Sequence, residues 1–240
     1  AIVMLPLYLQ VVKGASATEA GLKLIPLMLG IVTTSIFSGK AISKTGKYKK
    51  FPIMGTTLMT VGILLMVTLT RETPFWQLSI FSILVGAGLG LSMQTIVIAL
   101  QNSVDFKDMG VATSSNTFFR SLGSVFGTAL FGSILTNRVT HYLESGFNEL
   151  ATTNPAAVSG FDPATLEQLS SNTSVLKDLP LLVQNTALDA FVNSFHVVFL
   201  AAAPVTALGI VLALMLREAP LRTNQDYAAA REDAAGEALG

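Results

Sequence analysis

FWQLSIFSILVGAGLGLSMQTIVIAL, residues Phe75 to Leu100, contains no charged side chain over its whole length. About 20 mostly apolar residues let a helix cross the hydrocarbon core, where no water can satisfy a backbone N–H or C=O. The stretch is therefore read as a membrane-spanning helix. Comparable runs lie on either side of it, at Leu22–Ile42, Phe51–Leu69, Val111–Leu135 and Phe191–Leu216, and a shorter apolar run at the start ends near Val12. The expected fold is all-α: a polytopic membrane helical bundle with about five complete spans plus one truncated.

Composition points the same way. The 240 residues are 51% hydrophobic and 12% charged, whereas a soluble domain carries about 25% charged residues. Fifteen basic and fifteen acidic residues cancel, so the chain lacks the basic footprint of a nucleic-acid binder and no nucleic acid is expected as a partner. The absence of cysteine removes disulfide frameworks, thiolate metal sites and cysteine nucleophiles together. The chain opens at Ala1 inside an apolar run reaching Leu9, without the positively charged start of a signal peptide. It is read as a fragment cut inside a helix.

Gly14 and Gly21, then Gly46 and Pro52, then Pro74 punctuate the connections, and short connections imply antiparallel neighbours. The exception is Thr140 to Asp189, polar and interrupted by Pro155, Pro163 and Pro180. Within it, Asp162-Pro163 before Ala164 to Leu169 reads as the start of a short surface helix, and Asn172-Thr173-Ser174 matches a glycosylation sequon that arises easily by chance. The segment after Pro180 is apolar enough to join the final span. The domain plan is a bundle over 1–218, including a loop at 140–189, followed by a disordered cytoplasmic tail at 219–240.

Alternating spans place Lys40, Lys44, Lys47, Lys49, Lys50, Lys107, Arg217, Arg222 and Arg231 on one side, and Lys13, Lys23, Arg71, Arg138 and Lys177 on the other. Nine positive charges against five assign the first side to the cytoplasm and the 140–189 loop to the outside.

Among the span residues, Arg120 is the most informative, because a charge there needs a partner or a water-filled cavity. It falls about three turns after Val111, roughly 15 Å along the helix, with Asn116 one turn before it on the same face. With Gln94 on the preceding span these residues are candidate cavity groups, and Phe119, with Phe118, Phe126, Phe131 and Met93, offers an apolar wall suited to lipophilic ligands. The alternative for Arg120 is a structural clamp to backbone carbonyls. Gly86 and Gly90, like Gly123 and Gly127, have the GxxxG spacing of close helix packing. They are no nucleotide fingerprint, because no strand precedes them. The spans hold no carboxylate, so a proton-carrying acid must come from elsewhere or the protein is not proton-coupled. His196, just inside the last span, is an interfacial anchor or hydrogen-bond partner before it is a titrating switch. His141 and His196 stand apart from any acidic cluster, so neither a serine-type triad nor a metal set is visible, and neither an enzyme nor a cofactor is expected.

GKAISKTGKYK, Gly39 to Lys49, resembles the cytoplasmic loop motif of the major facilitator superfamily, with Gly39, Lys44, Gly46 and Lys47 matching and Ser43 in the position of the motif's acid. GVATSSNTFFRSLGSVFG, Gly110 to Gly127, is similar to the late-helix signature of the fourteen-helix drug:proton antiporters, the EmrB/QacA group. Leu5 to Gln10, Ala20-Gly21 and Pro26 fit the same family's preceding helices. The resemblance implies a partial fold of that superfamily, its C-terminal half, and export of lipophilic or cationic small molecules against protons by alternating access. It also implies as partners the lipid bilayer and an N-terminal half bearing the coupling acids, and as location a bacterial plasma membrane. The competing expectations are a permease for a nutrient, lipid or siderophore and a non-transporting membrane scaffold.

Overall fold

A computed structural model describes residues 2–155, 180–218 and 220. The expected surface helix at Asp162–Leu169, the sequon at Asn172 and the tail at 221–240 lie outside the described residues. The described elements are α1 (Met4–Val11), α2 (Ala17–Leu22), α3 (Ile25–Thr45), α4 (Lys50–Met66), α5 (Phe75–Ser103), a 3₁₀ turn (Phe106–Asp108), α6 (Met109–Thr153) and α7 (Leu181–Met215), with no strand among them.

Local chemistry sets the boundaries. Ser16 caps α2, its Oγ accepting the Glu19 N–H at 3.1 Å. Pro26 sits in the first turn of α3, where its missing N–H costs nothing. Gly46 ends α3 in the left-handed conformation (φ 70°) and returns its N–H to the Ile42 carbonyl at 2.8 Å. Pro74 starts α5.

Four helical stretches are long and apolar enough to cross a membrane: Ala17–Thr45, Phe75–Ser103, Phe106–Thr153 and Leu181–Met215. The fifth expected span is shorter than the sequence suggested. α4 has 17 residues, at the lower limit for crossing, because the chain tightens after Met66 into i→i+3 turns in which Val67, Thr68 and Leu69 donate to Leu64, Leu65 and Met66.

The expected loop at 140–189 is corrected at its start, while the segment after Pro180 joins the final span as its apolar composition suggested. α6 runs on to Thr153 and α7 begins at Leu181. The polar residues after Leu135 are the solvent face of an amphipathic helix whose other face, Leu135, Val139, Leu143 and Phe147, is buried at four-residue steps. Its partners in the same core cluster include Val183, Ala187, Ala190 and Phe191 of α7. The two helices approach so closely there that a Cβ on Gly146 would lie 2.6 Å from Thr186 Cγ2.

α5 packs between α3 and α4, α4 also packs on α7, α7 packs on α6, and α1 leans on α2 and α7. Glycine sets the distance in this row. Gly86 and Gly90 lie directly against the α3 backbone at Leu27 and Ile31. On the adjoining face Gly88 meets Gly55 of α4, where a Cβ on Gly55 would lie 2.6 Å from the Gly88 carbonyl oxygen.

The two ends of the bundle differ. At one, the turn after α4 is fastened to its neighbours: Tyr8 donates its hydroxyl to the Thr70 carbonyl at 2.8 Å, Lys13 donates to the Arg71 and Thr73 carbonyls, and His196 Nε2 meets the Leu69 carbonyl. A carbonyl only accepts, so that nitrogen carries the proton. Arg71 also reaches Asp189 at 3.3 Å and Asn185 at 2.7 Å. Burial holds the Lys13 amine below its usual range, Lys23 pushes the same way, and Glu72 opposes them. The other end gathers Lys40 through Lys50, Lys107 and Arg217, the grouping the alternation of spans anticipated.

Candidate functional site

A cavity of about 280 Å³ opens where α1, α4, α5, α6 and α7 converge. Met4 of α1, Met59 and Ile63 of α4, and Val85 and Leu89 of α5 form one wall; α7 adds Phe199, Val205 and Thr206. α6 supplies Gly123, Ser124, Gly127, Thr128 and Phe131, a one-face spacing of i, i+1, i+4, i+5 and i+8. Among the described residues no charged side chain lines the cavity; its polar atoms include the hydroxyls of Ser124, Thr128 and Thr206.

Composition sets α7 apart beside the cavity. Pro204 lies inside the helix, and its ring removes the hydrogen bond that the Leu200 carbonyl would accept. Beside it, Thr206 turns its hydroxyl back onto the Ala203 carbonyl at 2.9 Å, so its hydrogen-bonding need is met without a guest. Gly123 and Gly127 leave room: a Cβ added at either meets nothing within 4 Å. Such a chamber holds an apolar guest by dispersion and solvent exclusion, with hydroxyls as weak orienting contacts.

The sequence-predicted residues divide. Arg120 sits one turn from Ser124 on the face that continues into the cavity, and Asn116 is one turn further along the same face. Both therefore approach the chamber from the lysine-rich end, and Arg120 is exposed within this chain. Gln94 does not join them: its Cγ lies 3.8 Å from where a Cβ on Gly39 would be, so it faces α3. Phe119 is 68% exposed and packs edge-on against Phe118 instead of lining the cavity. Gly123 and Gly127, expected at a helix contact, border open space, unlike Gly86 and Gly90. Of the loop residues, Gly46 forms the turn after α3, Gly39 lies beneath Gln94, and Lys44 and Lys47 are exposed.

The α7 contribution was not anticipated. One signal was available: Thr206 is the single hydroxyl residue between Phe195 and Pro220, two positions after a proline inside an apolar span. Among the described residues no three His, Cys, Asp or Glu side chains gather as a metal site would require.

Comparison with known proteins places these features in a family. Residues 1–136 match the Major Facilitator Superfamily. Over 228 residues, 95% of this chain, it is 41% identical to an uncharacterized MFS-type transporter of Mycobacterium tuberculosis, of which it spans 31%. It is 32% identical to the tetracycline resistance determinant of Streptomyces rimosus, aligning 97% of this chain with 71% of that protein. It is 30% identical to the multidrug transporter protein MdtP of Bacillus subtilis over 90% of this chain and 42% of that one. The chain thus spans about a third of its mycobacterial relative and under half of the Bacillus one. With its membrane-length helices, this integral membrane chain belongs to the Major Facilitator Superfamily of transporters.

Proposed function

We propose that the chain is the C-terminal bundle of a proton-coupled exporter of lipophilic or cationic compounds in the plasma membrane, of the fourteen-helix drug:proton antiporter type. The observation that carries this reading is the uncharged, largely apolar chamber with Arg120 one turn from its α6 wall. A polar nutrient would need several charged or amide groups converging on it, because each buried polar group of a ligand must be matched. Two relatives, one a tetracycline resistance determinant and one a multidrug transporter, agree with it by name.

In this reading the lysine-rich end faces the cytoplasm, in accord with the positive-inside rule, and the loop of Gly39, Lys44, Gly46 and Lys47 braces that face. Arg120 and Asn116 lie where the chamber meets a preceding half of the transporter, which supplies the titrating carboxylates. The two halves rock about the chamber to expose it alternately to either side.

The test is efflux of a fluorescent lipophilic cation from cells expressing the open reading frame that contains this chain, with and without a protonophore. Efflux that collapses with the proton gradient supports the reading. Efflux that persists, or its absence from cells with the protein in the membrane, refutes it.

A further inference from the structure

The end of α3, the turn after it and the first residue of α4 concentrate Lys40, Lys44, Lys47, Lys49 and Lys50 and contain no acid, with Ser43 neutral among them. α4 begins at Lys50 with no side-chain cap and no acid in its first turn. A helix start exposes unpaired N–H groups and the positive end of the helix dipole, so lysines are the wrong sign there.

The missing carboxylate arrives from the far end of the sequence. Glu218 Oε1 accepts the Tyr48 N–H at 3.0 Å and the Lys49 N–H at 3.4 Å. Next to it the Arg217 carbonyl accepts the Tyr48 hydroxyl at 3.3 Å, and Tyr48 is 3% exposed. Two residues on, the Pro220 carbonyl accepts from Asn102 Nδ2, near the end of α5, at 3.0 Å. None of the turn's lysines is ion-paired among the described residues, so the contact is made through backbone N–H groups and is specific in position.

We infer that Arg217, Glu218 and Pro220 strap the lysine-rich face, with Glu218 serving as the acid of the α3–α4 turn and capping α4. The strap ties the end of α7 to the start of α4 and the end of α5. A movement of α7 relative to α4 at this face must first release Glu218. This device goes beyond the transport reading and stands without it.

Hydrogen–deuterium exchange on the full chain in lipid nanodiscs tests it, comparing the wild type with Glu218→Ala and Glu218→Gln. Glu218 is exposed, so both variants should fold, which a monodisperse elution profile checks. Glu218→Ala should speed exchange in the peptide covering 46–52 about fivefold, as loss of a side-chain cap shifts an equilibrium. Glu218→Gln, which keeps an acceptor oxygen without the charge, should fall between wild type and Ala, and the peptide covering 136–153 should not change. Tyr48→Phe removes the hydroxyl's tie to Arg217 and should loosen the amides at 216–218. Wild-type exchange at 46–52 in Glu218→Ala, or equal acceleration at 136–153, overturns the strap.

Discussion

Replacing Gly88 by alanine adds one methyl group where α5 crosses α4 backbone to backbone. That methyl carbon would lie 2.6 Å from the Met59 backbone nitrogen and 2.8 Å from Met59 Cβ, as well as against the Gly55 carbonyl. Carbon atoms pack at about 3.5 Å, so to clear Met59 Cβ alone α5 and α4 would have to part by roughly 0.7 Å. The atoms in the way belong to backbone or lie next to it, so a rotamer change cannot relieve them. Overpacking costs about 1–3 kcal/mol, with the upper part, about 2–3 kcal/mol, expected against unyielding backbone, and the better helix propensity of alanine returns about 1 kcal/mol. The expected net loss is about 1–2 kcal/mol, or roughly 2–8 °C in Tm for a chain of this size. Gly123→Ala is the matched control, since its added carbon meets nothing within 4 Å and should leave Tm unchanged or slightly raised. Both are measured by fluorescence-detected thermal unfolding in one detergent. A Gly88→Ala protein as stable as wild type, or a Gly123→Ala protein that falls as far, would show that glycine does not set the α4–α5 distance.

Other perturbations separate the remaining parts. Arg120→Ala in the transporter containing this chain is expected to abolish efflux while leaving membrane insertion intact, and unchanged efflux at normal expression would remove Arg120 from the mechanism. His196→Gln keeps a donor for the Leu69 carbonyl and should hold its Tm, whereas His196→Phe leaves that carbonyl unpaired at a cost of about 1–3 kcal/mol. Asp189→Asn removes an exposed ion pair with Arg71 and should cost under about 1 kcal/mol, with a smaller effect at high salt. Folding lowers the Lys13 pKa, so between the lowered value and 10.5 the unfolded chain holds more proton. Stability should therefore rise with pH across that alkaline interval, and Lys13→Met should flatten the slope.

The sequence was most legible where one physical constraint acted alone. An uncharged run such as Phe75 to Leu100 has one stable state in lipid, and the structure makes it α5. The lysines from 40 to 50 gather at one end of the bundle, because loop charge and span alternation are both local properties. Legibility failed where a pattern had two meanings. The polar residues after Leu135 looked like a loop, yet Val139, Leu143 and Phe147 among them hold a helical register that only the facing α7 explains. The two GxxxG groups read alike, but Gly86 and Gly90 have a neighbour in the chain whereas Gly123 and Gly127 face a cavity. Spacing reports a close approach without naming the partner. Gln94 shows the same limit: a polar residue in a span needs a partner, but which neighbour it turns to depends on helix rotation.

The 45 residues of α6 make a rod about 68 Å long, more than twice the roughly 30 Å thickness of the hydrocarbon core. Its cavity wall lies near the middle of the part expected to cross the bilayer, at Gly123 to Phe131. From there to Thr153 is about 45 Å counted from Gly123, so a tilt of about 10° in the membrane carries the tip about 8 Å. The start of α7, seated on the seam of Leu143 and Phe147, must travel with it or slide along it. With the bilayer at the expected span of 111–135, the helical pair past it would act as a lever arm, magnifying small rotations at the chamber where a probe can reach them.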